Sequence, residues 1–257
     1  MIQQKQVAKK IYSEIIITQI IFIRRKLMST FTEPIERKHV LYKIGFMSSL
    51  LTAFLNFWYL VAFIMYQPIL YAPWSGIDSY AESFKQLPFM AWVIPCFLLT
   101  LSFLTMIITI HQLMEEKNKI WSLLALVFAA IYTTILSTNY YIQMTVVRHN
   151  LINNMTDGIS LWLFADYYPY SIPGALEGVG YLFMCLSFLC VSKVFGQGRL
   201  ERWVHWTFIV AGISGLLIFT NLLYELPLVP VLVDAGIAGI AMTIGPILLA
   251  VLFKRKL

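Results

Sequence analysis

The chain is 257 residues long, 59% hydrophobic and 12% charged, with a formal charge of +6 and a mean hydropathy of +0.74. So much apolar surface exceeds what a soluble domain of this size buries, which excludes water as the main solvent. The positive charge does not indicate nucleic acid, because Lys and Arg fall between apolar runs and not along a stripe interleaved with aromatics.

Residues 1–43 read as a basic cytoplasmic segment. Within it, Ile11 to Ile23 is apolar but too short to cross a bilayer, and Lys9-Lys10 and Arg24-Arg25-Lys26 bracket it. No small-residue cleavage site follows, so the expectation is an interfacial helix held on the inner leaflet by its basic flanks, or else an extension ahead of a start at Met28.

Crossing about 30 Å of hydrocarbon at about 1.5 Å per residue needs about 20 apolar residues. Six stretches qualify within residues 44–253: Ile44 to Tyr66, Pro88 to Ile110, Ile120 to Val147, Ile172 to Phe195, Val204 to Tyr224 and Val229 to Phe253. Their apolar runs are continuous, not alternating, so the expected fold is all-α, an integral membrane bundle of six transmembrane helices. Pro95 and Pro246 fall inside spans as tolerated kinks. Gly174-x-x-x-Gly178, Ala211-x-x-x-Gly215 and Ala235-x-x-x-Gly239 lead us to expect close packing of the last three helices.

Orientation follows from the loops. With six spans, only two of the 19 basic residues, Lys85 and Arg148, fall on one side. The N-terminal segment, Lys117, Lys119, Lys193, Arg199, Arg202 and the basic tail at 254–257 share the other side, which places both termini in the cytoplasm and the protein in the cell membrane. The outer loops, Gln67 to Leu87 and Arg148 to Ser171, are rich in Tyr and Trp and read as an aromatic belt.

Polar residues inside spans are costly, by about 2.5 kcal/mol or more for an ionised group. Asn139 and Gln143 lie one turn apart on the third span, with Arg148 beyond its outer end. Glu177 sits about 7 Å inside the outer boundary of the fourth span, and Asp234 at similar depth in the sixth. Asn221 and Glu225 repeat the one-turn spacing on the fifth. All seven fall in the outer half, so a shared polar cavity is the candidate ligand-binding site, with Asn56 and Tyr59 of the first span beside it and Arg148 as counter-charge to the acids. Any one of these residues alone reads first as interhelical glue, worth about 0.6 kcal/mol; it is Glu177 and Asp234 together that point to a site.

Other chemistries find no support in the sequence. His39, His111, His149 and His205 are at helix ends or in loops, so no facing pair holds a haem. No CxxC, HExxH, GxSxG, P-loop or GxGxxG motif occurs, and the sequence implies no cofactor and no metal.

At Thr138 to Arg148, TNYYIQMTVVR, and at Ala175 to Leu189, ALEGVGYLFMCLSFL, the chain resembles uncharacterised prokaryotic polytopic membrane proteins with TNYFIQ-like and ALE-x-x-GYL-like stretches. The resemblance covers the third and fourth spans and brings no activity with it. It implies only that Asn139, Gln143 and Glu177 lie in the recognisable part.

Three functions stay open. A transporter or small-ligand-binding membrane protein would use the outer polar residues to hold a small molecule or cation. An integral membrane enzyme acting on a lipid or isoprenoid would use Glu177 and Asp234 as acid and base. An accessory or sensory subunit would use its helix faces and basic N-terminus. In each case the partner is the lipid bilayer, not nucleic acid.

Overall fold

The computed structural model describes residues 36–62, 64–65, 77–155, 171–224 and 237–257, excluding the side chains of 77, 78, 80 and 218–224. The chain divides into two units, 1–41 and 42–257. Of the first unit only 36–41, the start of a helix, is described, so the expected interfacial helix at 11–23 lies outside the described residues. All packing below belongs to the second unit.

Every regular element among the described residues is helical: α1 Glu36–Ala62, α2 Ile77–Ser83, α3 Gln86–Leu113, α4 Glu116–Ile152, α5 Ile172–Ser192, α6 Arg199–Tyr224 and α7 Gly239–Lys254. Four of them, α1, α3, α4 and α5, are long and apolar enough to cross a membrane. The 26 residues of α6 give it comparable length. At 16 residues, α7 is too short by itself, and the residues ahead of 237 lie outside those described.

The helices overshoot the expected spans. α1 begins eight residues before Ile44, α3 two residues before Pro88, α4 continues five residues past Val147, and α6 begins at Arg199, not Val204. Hydropathy marks only what suits lipid, whereas helical hydrogen bonds are local and carry the helix on through polar residues. The fourth span ends earlier than expected, at Ser192 and not Phe195. The stretch from Gln67 to Leu87, expected as a loop, contains the seven-residue α2.

α1 shows how the fold is solvated. Ser48, Ser49, Thr52, Ala53 and Asn56 are buried, whereas Leu50, Leu51, Phe54, Phe57 and Trp58 are exposed. Small and polar residues face inward and large apolar ones outward, the reverse of a helix in water. α6 and α7 repeat the pattern, with Trp203, Trp206, Val210, Ile213 and Leu217 on one and Ile237, Ile240, Ile244, Ile247 and Val251 on the other exposed at alternating spacings of three and four. A stripe of that kind is stable against lipid chains and ruinous in water, so these helices associate with a membrane.

Inward polar groups join the helices pair by pair. Thr52 Oγ1 donates to Ser102 Oγ on α3 (3.1 Å), and Asn56 Nδ2 donates to Gly239 O (3.1 Å) and Thr243 Oγ1 (2.8 Å) on α7. Thr133 Oγ1 ties α4 to the Thr100 carbonyl of α3 (3.1 Å), and Ser187 Oγ ties α5 to the Ala125 carbonyl of α4 (2.8 Å). His205 Nδ1 on α6 lies 2.8 Å from the Ser192 carbonyl of α5. Where no polar link is made, glycine admits a neighbour. A Cβ at Gly215 would collide with the Cys185 side chain of α5, and one at Gly245 would come within 2.7 Å of the Phe208 ring of α6. The expected tight packing of α5 on α6 is therefore present, and α7 approaches α6 at Gly245. Ala235 lies outside the described residues.

These contacts close a ring, α1–α3–α4–α5–α6–α7 and back to α1. Its upper end is formed by the start of α3, the end of α4 and the start of α5. The lower end holds the α3–α4 and α5–α6 connections and the end of α7. Lys43, Lys117, Lys119, Lys193, Arg199, Arg202 and Lys254 to Lys256 gather at the lower end, against Lys85 and Arg148 at the upper. Rings fill the lower interior: Phe103 stacks edge-on against Phe188 (5.1 Å), Phe188 packs on Phe208 (4.9 Å), and Tyr132, edge-on to Phe103 (5.3 Å), borders the upper interior.

Candidate functional site

The upper interior is built differently. The first turn of α5 is organised by Ser171, whose Oγ accepts the Gly174 N–H (3.1 Å), with Pro173 pre-set for helix in that turn. This start points the Pro173 carbonyl at α4, where Asn139 Nδ2 donates to it (3.4 Å). Asn139 and Gln143 are both 1% exposed, so the two residues expected on one inward face do share it. Gln143 opens a π turn, Gln143–Val147, a widening of the helix that recurs at functional positions.

Glu177 lies one turn beyond Pro173 and one turn before Tyr181 on α5, and is half-buried. Its carboxylate is within electrostatic reach of Tyr132, Tyr140 and Tyr181, and Tyr59 of α1 reaches Tyr181 in turn. The Tyr140 and Tyr181 hydroxyls bond each other (3.1 Å) across α4 and α5, and Trp92 of α3 stands edge-on to Tyr140 (6.3 Å). Two donors buried here, Trp92 Nε1 and Tyr132 Oη, have no hydrogen-bond partner among the described residues. Buried donors of that kind cost about 1–3 kcal/mol each and are tolerated where a site accepts a further guest.

Of the other expected members, Arg148 turns back on its own helix, with Nη1 donating to the Met144 carbonyl (3.4 Å) and Nε buried with no partner among the described residues. Asn56, expected beside the cavity, is used to bind α1 to α7. Asp234 and Glu225 lie outside the described residues, as does the Asn221 side chain. Among the described residues no group of three His, Cys, Asp or Glu side chains is placed to hold a metal.

Sequence reasoning passed over Tyr132, Tyr140, Tyr181 and Trp92. Spacing held the signal: Tyr132, Leu136 and Tyr140 are four apart on one face of α4, as Glu177 and Tyr181 are on α5. Tyrosines near an acid and inside a span supply hydroxyls at its depth, and are not only belt residues.

No protein-family model, curated protein or solved structure matches this chain.

Proposed function

We propose that this is a cell-membrane protein of six spans with both termini cytoplasmic, and that it binds a small molecule or cation in the upper, outward half of its bundle. One observation carries the reading: a half-buried carboxylate, Glu177, within electrostatic reach of three buried tyrosines and one turn from the Pro173 carbonyl that Asn139 holds, in a bundle whose other half is packed with rings. A carboxylate inside a membrane protein favours a cationic guest, and aromatic faces add to that preference. Gathering of nine described basic residues at the lower end supports the cytoplasmic assignment. The resemblance to uncharacterised prokaryotic membrane proteins rests on the stretches that supply Asn139, Gln143 and Glu177. The alternative, an enzyme acting on a lipid or isoprenoid, needs a second acid beside Glu177, and its candidate, Asp234, lies outside the described residues.

The test has two arms. On intact cells, cysteine introduced at Ser79 should react with an impermeant thiol reagent and cysteine at Asn118 should not; labelling at 118 defeats the orientation. In a thermal-shift screen of small cations and amines, any compound that stabilises the wild type should lose its effect with Glu177→Gln while the unliganded melting point stays within a few degrees. Full retention of the shift in Glu177→Gln removes the carboxylate from the site.

A further inference from the structure

A groove of about 490 Å³ runs along the outside of the bundle between α6 and α7. Trp203, Trp206 and Val210 form one wall, and Ile237, Ile240 and Ile244 the other. Small residues make the groove possible. Ala241 leaves its floor low, and Gly245 lets the helices touch beneath the bulky walls. Thr207, also on the lining, donates its hydroxyl to the Trp203 and Val204 carbonyls (2.7 and 3.0 Å) and has no other proton to offer. An occupant of such a groove needs apolar length and no hydrogen bonds.

Charge at the lower mouth identifies the rest of the occupant. Arg199 and Arg202 precede Trp203 and Trp206 by four residues each, so they project from the same face of α6, one turn nearer the lower end. Both are exposed, and neither has an ion-pair partner among the described residues. The neighbouring acid, Glu201, is occupied in accepting the Gly196 and Gln197 N–H groups (3.4 and 3.0 Å). Indoles at headgroup depth, guanidinium groups just outside them and an apolar slot running from them toward the membrane interior match a phospholipid's glycerol, phosphate and acyl chain.

We propose that this groove is a binding site for an anionic phospholipid of the lower leaflet, its acyl chain between α6 and α7 and its phosphate held by Arg199 and Arg202. A second copy of the chain is disfavoured as the occupant, since it would bring another basic rim to the same place.

Native mass spectrometry of the full-length protein in detergent tests this, titrated separately with dioleoyl phosphatidylglycerol and dioleoyl phosphatidylcholine. Wild type should retain phosphatidylglycerol in preference. Each basic residue beside an anionic headgroup is worth about a factor of five, so Arg202→Gln should weaken phosphatidylglycerol about fivefold and Arg199→Gln with Arg202→Gln about 25-fold, with phosphatidylcholine unchanged. Ile240→Trp, which narrows the slot on its lipid side, should weaken both lipids. Lys117→Gln with Lys119→Gln removes the same charge from the same end of the bundle and should change neither. The proposal is overturned by equal retention of the two lipids in wild type, by equal losses in the arginine and lysine double variants, or by a dimer appearing where the lipid should be.

Discussion

The two halves of the bundle draw on the same residue types and use them in opposite ways. Below, Phe103, Phe188 and Phe208 meet ring to ring, and the polar side chains that cross between helices, such as Ser187 and His205, are each used on one backbone carbonyl. Above, aromatic residues carry hydroxyls, those hydroxyls meet each other, and an acid and two amides stand among them. Apolar rings gain from packing alone and seal the space they fill. Phenols and amides gain only if partnered, so a cluster of them is costly to bury unless its hydrogen bonds are made. The lower half is sealed by ring packing, and the upper half is lined with polar groups.

Substitution should break that contrast unequally. Phe188→Ala, at the junction of the Phe103 and Phe208 rings, should cost about 3–5 kcal/mol in detergent unfolding, because the ring is buried and its ring neighbours are fixed on two other helices. A loss below about 1 kcal/mol would mean that the lower half is not the structural one. Tyr140→Phe and Tyr181→Phe should cost about 1 kcal/mol each, and the double variant little more than either alone, since both remove one shared hydrogen bond. Strict additivity in that cycle would show that the two hydroxyls act independently. Smallest is the effect at the exposed lower rim, where the Lys117 ammonium, 2.8 Å from Glu115, holds that carboxyl below its ordinary range. Because the folded value is the lower one, the pair's contribution is complete above the ordinary carboxylate range and fades as pH falls through the depressed value. Melting curves of Glu115→Gln and wild type should therefore differ slightly at neutral pH and converge in acid; divergence in acid would reverse the sign.

Membrane association was legible in the sequence because it depends on runs of apolar residues, and α1 bears this out in its inverted burial. Asn139 and Gln143 were placed on one inward face by spacing alone, since the helix period fixes it. The partners across the interface were not legible. That Tyr140 meets Tyr181, or that Asn139 meets the Pro173 carbonyl, depends on the register between α4 and α5, which close approach at Gly180 and Leu136 helps set and which no single helix encodes. Arg148 makes a contact that its charge alone does not reveal: the helix continues to Ile152, and the guanidinium reaches a carbonyl of its own turn.

The length of α4 serves as a ruler for the site. At about 1.5 Å per residue its 37 residues measure about 55 Å, well beyond a hydrocarbon slab of about 30 Å. Counted upright from Lys119, that slab is crossed within about 20 residues, close to Asn139. The same count from Ser192 along α5 ends near Ile172 and leaves Glu177 about a turn and a half below the surface. The tyrosine-lined acid therefore sits at wading depth. On the binding reading proposed above, a guest would approach from the upper side, and passage to the other side would require the Phe103, Phe188 and Phe208 rings to part.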